Sequence, residues 1–435
     1  MKILVLTNLY PPHHAGTFDE RCQAVTDALR LRGHEIRVLT SNHGLQSEQR
    51  DTEIERRLFL NGMFGHESVT DYRPLQALEA HNHAALQEAV ADFEPDLVHV
   101  FSLTGLSKSL MFGLRRTRLP VVYDVADLWI ASGIPSDPWL RWWNGPNTNL
   151  ARKSLEMAGQ RSRLDDTAPT RMMKGLDRIP EVYGPPDIVA KVEPDSITAF
   201  RFDRLYFCSL GLKSATVQSG FRANHGDVIY PGIAAEHFCA QIKPPSEPVQ
   251  KFLVVADLEE SSGVATAIEA LRLARETRRD ATLTICGRGD STYVSKLRSL
   301  AVRHALPVEF VTMSNLNRDL AGLYRQHDAF VYPTEWEEPF SPVLLEAMAS
   351  GLPIIAALSG GVREFIRHCE NGFVFTPGSA AELASRMYEL QTQPNLRHQM
   401  AESAQAEVMS NHNETTMIDR IENYLNASIE YWQQA

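Results

Sequence analysis

The sequence predicts an α/β protein made of two doubly wound, parallel-sheet domains. Short apolar runs of strand formers alternate with segments of helical periodicity along most of the chain, the pattern of repeated βα units. The length, 435 residues, exceeds what one ordinary core serves, so two domains are expected. Midway, Lys243-Pro244-Pro245-Ser246-Glu247-Pro248 reads as a semi-stiff connector, and beyond it the alternation begins again. The expected domains are 1–243 and 249–412, with a helical tail over 413–435.

The first half opens on a strand, KILVLT (Lys2 to Thr7), and a turn-rich loop, NLYPPHHAG. A helix from about Thr17 to Arg32 stops at Gly33, and EIRVLT (Glu35 to Thr40) is the next strand. This βαβ unit implies a parallel sheet with right-handed crossovers. No G-x-G-x-x-G follows the first strand, which argues against a dinucleotide site. Residues 43 to 73 are polar and read as an irregular surface excursion. A helix over Pro74 to Phe93, the strand LVHVF (Leu97 to Phe101), a helix from about Leu106 to Arg116 and the strand PVVYD (Pro120 to Asp124) continue the layering. Between Ser132 and Arg201 the chain turns rich in tryptophan (Trp139, Trp142, Trp143) and proline. An insertion of that kind either shapes a substrate pocket or forms a lid with its own small core. RLYFCS, a helix and VIYPGI (Val228 to Ile233) close the half.

The second half repeats the scheme: FLVVA (Phe252 to Ala256), a helix over Val264 to Arg278, TLTIC (Thr282 to Cys286), a helix over Ser291 to His304, VEFVT (Val308 to Thr312), a helix over Leu316 to Gln326, and AFVY (Ala329 to Tyr332). Ligands of such sheets sit beyond the C-terminal strand ends, where Gly287, Met313, Ser314 and Glu338 fall. The stretch YPTEWEEPFSPVLLEAMASGLPIIAALSGGVRE, Tyr332 to Glu364, is the most informative. Ser341 is a good N-cap and Pro342 suits the first helical position. The amides of Val343, Leu344 and Leu345 then lack helical partners and, with the helix dipole behind them, offer a phosphate site. Glu346, eight residues after Glu338, can reach toward vicinal hydroxyls such as those of a ribose. Helices are expected over 380–391, 396–409 and 416–432.

Bulk properties exclude several classes. With 43 basic against 54 acidic residues, the net charge of −11 argues against a nucleic-acid surface. No apolar run approaches the roughly 18 residues of a membrane span, and Met1-Lys2 leads straight into a strand without a signal-peptide layout. The five cysteines are scattered and lack C-x-x-C spacing, as expected of reduced core residues in a cytoplasmic protein. No metal-binding motif is found. Arg288-Gly289-Asp290 and two N-x-S/T tripeptides match signals by coincidence.

The Glu338-x7-Glu346 spacing with its flanks, EPF, LLEAMASG, the following apolar strand, Gly360-Gly361 and Glu364, resembles the signature of the retaining glycosyltransferases of family 4, which share the GT-B fold. That resemblance implies two Rossmann-like domains around a cleft, with the acceptor on the first and a nucleoside-diphosphate sugar on the second. It implies that Glu338 faces the donor sugar, that Glu346 holds the ribose, and that the loop after Thr312 borders the base. Gly16 matches the second glycine of the family's first loop, which lets the backbone approach the donor phosphates. VVYDVADLW resembles the segment beside the donor sugar: Asp127 and Trp129 match, whereas Ala126 stands where the family has histidine. The family's G-R-L-x-x-x-K-G, whose Arg and Lys hold the diphosphate, is here Ala256-Asp257-Leu258-Glu259-Glu260-Ser261-Ser262-Gly263. Arg288 and Arg363 are the nearest substitute cations by motif position. The final helix is expected to cross back to the first domain. The activity implied is metal-independent, retaining transfer to an acceptor hydroxyl on a glycan, lipid-linked or small molecule, with no cofactor, no nucleic acid and at most peripheral membrane association. A non-catalytic relative that binds nucleotide or sugar, or another GT-B enzyme such as an epimerase or phosphorylase, are the alternatives.

Overall fold

A computed structural model describes residues 1–13, 16–140, 178–180, 189–191, 200, 202–277, 280–312 and 319–434. The chain forms two compact units, Met1–Ile229 together with residues from Ile418 on, and Tyr230–Met417. The division falls ahead of the proline-rich connector because Ile233 is already bonded into the second unit. Its N–H donates to the His412 carbonyl at 3.0 Å and its carbonyl accepts from Glu414 at 2.8 Å.

The first unit holds strands β1 (Lys2–Thr7), β2 (Glu35–Ser41), β3 (Ile54–Leu58), β4 (Leu97–Ser102), β5 (Val121–Val125), β8 (Arg204–Phe207) and β9 (Asp227–Val228). They form one parallel sheet in the order β3-β2-β1-β4-β5-β8-β9. A separate antiparallel ribbon pairs β6 (Arg178–Pro180) with β7 (Val189–Lys191). Helices α1 (Thr17–Leu31), α2 (Tyr72–Phe93), α3 (Leu110–Arg116), α4 (Ile134–Ser136) and α5 (Leu210–Gln218) connect the strands, and Ser209 caps α5 by accepting from the Leu212 amide.

Two expectations fail here. Residues 43 to 73 are not wholly irregular, because β3 extends the sheet edge within them. Its charges are buried in pairs: Arg57 meets Glu55 at 3.2 Å and Glu88 at 2.6 Å, and Arg56 donates to the Tyr10 carbonyl at 2.8 Å. The third helix starts at Leu110, not near Leu106, because side chains occupy the amides before it: Lys108 N–H donates to Asp137 and Ser109 N–H to Ser107. Trp139 is fully buried against Tyr72, their rings 6.2 Å apart, whereas Trp142 and Trp143 lie outside the described residues.

The second unit holds β10 (Lys251–Val255), β11 (Thr282–Cys286), β12 (Val308–Val311), β13 (Ala329–Tyr332), β14 (Ile354–Ala357) and β15 (Phe373–Phe375), a parallel sheet in the order β12-β11-β10-β13-β14-β15. Its helices are α6 (Ala235–Phe238), α7 (Val264–Ala274), α8 (Ser291–Arg303), α9 (Leu320–Arg325), α10 (Pro342–Ala349), α11 (Val362–Phe365), α12 (Ala380–Thr392) and α13 (Pro394–Asn411). Ile268, Leu271, Leu383 and Met387 join the strands in one apolar core. Asp290 of the Arg-Gly-Asp tripeptide is the N-cap of α8, accepting from Thr292 at 2.8 Å.

The last helix, α14 (Glu414–Gln434), enters the first unit at Ile418. There Tyr424 donates to the Leu205 carbonyl at 2.8 Å, and Arg32 bonds Asp419 and Glu422. No helix among the described residues is long and apolar enough to cross a membrane.

Candidate donor-binding site

In the second sheet the chain moves one way from β10 to β11 and β12, and the other way from β13 to β14 and β15. The reversal opens a crevice at the C-terminal ends of β10 and β13, the usual ligand position in an open α/β sheet. Two loops border it, Ala256–Gly263 after β10 and Pro333–Ser341 after β13. They are tied together: the Glu335 amide donates to Ser261 O at 2.8 Å and the Thr266 hydroxyl to the Glu335 carboxylate at 2.7 Å.

Glu338 sits half-buried in the second loop. Burial raises its pKa, the hydrogen bond from Tyr332 opposes that rise, and the charges of Asp257 and Glu259 add to it. Behind it, the Gly360 amide bonds Glu337 and the Gly361 amide bonds the Glu338 carbonyl, both at 2.8 Å. Gly360 has φ +44°, and a Cβ there would meet the Glu338 carbonyl oxygen at 2.2 Å. The Gly-Gly turn is therefore the mould against which the Glu338 backbone lies.

Helix α10 follows directly. Ser341 has the extended N-cap backbone, but contrary to expectation its side chain makes no cap bond; its hydroxyl lies against that of Tyr332. Among the described residues no acceptor takes the amides of Val343 or Leu344. Leu344 and Leu345 bury their side chains in the core while Glu346 stays half-exposed, accepting from the Tyr324 hydroxyl at 2.9 Å. Tyr230 reaches Glu364 at 2.9 Å.

The cations are differently placed. Arg363 forms a two-pronged pair with Glu337, at 2.5 and 3.0 Å, which holds that carboxylate below its usual range. Arg288 projects into solvent, 3.8 Å from Asp257. Ser262 is buried and spends its hydroxyl on the Glu259 carbonyl at 2.6 Å. Gly287 packs against the strand end beside it, since a Cβ would meet the Ala256 carbonyl at 1.9 Å. Met313 and Ser314 lie outside the described residues.

A model of "Glycosyl transferases group 1" matches residues 240–407, and one of a "Glycosyl transferase 4-like domain" matches 17–153. The chain belongs to the family 4 glycosyltransferases and has the GT-B fold. A glycogen synthase of Mycobacterium tuberculosis is 24% identical over 94% of this glycosyltransferase and 91% of its own length. An uncharacterised glycosyltransferase of Methanocaldococcus jannaschii is also 24% identical, over 88% and 87%. Among solved structures, Anabaena HepE in complex with UDP superposes with a TM-score of 0.66 at 19% identity, covering 98% of this chain and all of that one. Sucrose-phosphate synthase from Thermosynechococcus elongatus gives 0.65 at 15%, covering 98% and 99%.

The first unit of the glycosyltransferase has its own strand-order reversal between β1 and β4. A cavity of about 290 Å³ lies there, lined by Thr7, Gly16, Ser102, Ala126 and Asp127 among others. Gly16 opens α1 with extended backbone, and a methyl group added there would find no atom within 4 Å. Asp127 accepts from the Trp129 amide at 2.7 Å and the Thr104 hydroxyl at 3.2 Å, and Trp129 is buried near Tyr123. A neighbouring cavity of about 420 Å³ is walled partly by Glu79, Lys108 and Asp137, all buried. Burial and the Asp137 charge push Glu79 up to about 8. Sequence reasoning missed this group; the signal was Glu79, Asn82 and His83 on the same buried face of α2 as Leu75 and Leu86.

Proposed function

We propose that this glycosyltransferase moves a sugar from a nucleoside-diphosphate sugar to an acceptor hydroxyl, with retention of configuration and without a metal ion. The observation that carries the reading is the strand–loop–helix edge on which Glu338, Glu346 and the amides of Val343 and Leu344, unpartnered among the described residues, stand together. Departure of the diphosphate from the anomeric carbon builds charge on the phosphate and on the sugar. Amides at a helix start stabilise the first, aided by the helix dipole. Glu338 orients the sugar, and Glu346 accepts from the ribose hydroxyls. In this reading the departing phosphate takes the acceptor's proton on the same face, so no side chain acts as base. The acceptor, a glycan, lipid-linked or small molecule, enters on the Asp127 side. A cytoplasmic site of action agrees with the five free cysteines. HepE, which has the same fold, was solved with UDP, so UDP is the first nucleotide to try.

The test is melting in the presence of UDP, GDP or ADP, because a ligand at about 100 times its Kd adds roughly 2.7 kcal/mol. One of them raises Tm, and in Glu338→Ala turnover then collapses to a small residual rate while that binding persists. Turnover left intact in Glu338→Ala removes the catalytic assignment. The second reading, a binder without transfer chemistry, is favoured by Asp257 and Ser262 in place of the family cations. A nucleotide shift without any sugar turnover selects it.

A further inference from the structure

Each carboxylate of the Glu338/Glu346 pair is held from behind by a buried tyrosine. Tyr324, on α9, donates to Glu346 Oε2 at 2.9 Å and lies 3.2 Å from the Val343 carbonyl, so one hydroxyl spans the carboxylate and the first turn of its own helix. Tyr332, the last residue of β13, donates to Glu338 Oε2. The pairs are nested: tyrosines at 324 and 332 face glutamates at 346 and 338, in reverse order.

Both rings are core residues. Tyr324 packs between Phe238 and Phe330, and Tyr332 stacks on Phe330. For packing alone a phenylalanine would serve, and a buried hydroxyl without a partner is a cost. What the hydroxyls add is a fixed donor at one carboxylate oxygen. For Glu338 this leaves Oε1 without a partner among the described residues, free to accept from a ligand hydroxyl. Burial and the adjacent carboxylates raise both tyrosine pKa values, so each stays a protonated donor across the working pH range.

Resting on the reading of Glu338 and Glu346 as donor-binding carboxylates, we propose that Tyr332 and Tyr324 are positioning residues. Tyr332 fixes Glu338 with one oxygen presented to the donor sugar, and Tyr324 fixes Glu346 for the ribose. Removing the Tyr332 hydroxyl also removes a contact that lowers the Glu338 pKa, so a larger fraction of Glu338 is protonated at a given pH.

The experiment compares Tyr332→Phe, Tyr324→Phe and wild type in turnover of UDP-, GDP- and ADP-glucose, read as diphosphate release, and in calorimetric binding of the matching diphosphates. Tyr332→Phe loses about tenfold or more in kcat, as expected for one hydrogen bond to a charged group, with diphosphate affinity unchanged. The acid limb of its kcat–pH profile moves to higher pH. In a Glu338→Gln background the same change costs nothing further, because its effect runs through that carboxylate. Tyr324→Phe weakens diphosphate binding and raises KM, with kcat altered less. Melting curves establish that each variant folds.

An unmoved acid limb, or an equal loss from Tyr332→Phe with and without Glu338, makes Tyr332 a merely structural residue and overturns the proposal. Unchanged diphosphate affinity in Tyr324→Phe does the same for Tyr324. A wild-type chain that neither binds a diphosphate nor turns over a sugar nucleotide overturns the underlying reading as well. Active wild type with silent tyrosine variants overturns this inference alone.

Discussion

Gly360→Ala tests whether the Gly-Gly turn sets the position of Glu338. The added Cβ would lie 2.2 Å from the Glu338 carbonyl oxygen and 2.6 Å from its nitrogen, where carbon contacts normally begin near about 3.5 Å. Both neighbours are backbone, so no rotamer change relieves the overlap, and the loop must yield by about 1 Å. A displacement of that size at reacting groups can cost about 100-fold in rate. The left-handed φ of +44° adds about 1–2 kcal/mol of strain for a residue with a side chain. Gly33→Ala separates the two costs. Its φ is +88°, but no atom lies within 4 Å of the new methyl. It therefore carries only the strain, a loss in Tm of about 2–4 °C per kcal/mol for a domain of this size. With sugar-nucleotide turnover and melting measured side by side, Gly33→Ala melts earlier with full activity, and Gly360→Ala loses about two orders of magnitude in kcat/KM. Wild-type kcat/KM in a folded Gly360→Ala protein refutes the reasoning.

Two further predictions concern charge. Asp257→Arg with Ser262→Lys restores the family cations. Each is worth a gross ~4 kcal/mol at 4 Å from a phosphate at an effective dielectric near 20; because Asp257 is mostly exposed, screening leaves an expected gain of about tenfold in diphosphate affinity by calorimetry. No gain means the crevice holds its nucleotide without help from that loop. Glu79 titrates near 8 in the folded protein against an ordinary value of 4.5, so the folded state holds a proton that the unfolded chain has released across that window. Stability therefore falls as pH rises from about 4.5 to 8. Glu79→Gln flattens this part of the Tm–pH curve, and an unchanged slope assigns the proton elsewhere.

The alternation of strands and helices was legible because most strands are apolar runs such as Phe252 to Val255, buried on both faces of a parallel sheet. β3 was not, since IERRL carries three charged residues whose burial is made tolerable by Glu88 on the helix that follows, α2, and by the Tyr10 carbonyl. The candidate site was legible where local chemistry defines it, at the start of α10 and the two glutamates. Ser341 misled because the capping propensity of serine does not foresee that the fold turns its hydroxyl away from the helix amides, toward that of Tyr332. Tyr324 and Tyr332 read as core aromatics, and only the fold reveals which carboxylate each one meets. The same holds for Glu79, Lys108 and Asp137, which are far apart in sequence and converge only beside α2.

The route of α14 has a consequence for how the protein comes into being. The first unit is begun by residue 2 and completed only by residues from Ile418 on, including Ile421, Leu425 and the Tyr424 bond to Leu205. On a ribosome, domains ordinarily fold in the order they emerge. Here the leading half must wait, its last groove unfilled, while the whole trailing half is made and collapses. The trailing half can reach its native state first, so the order of maturation need not follow the order of synthesis.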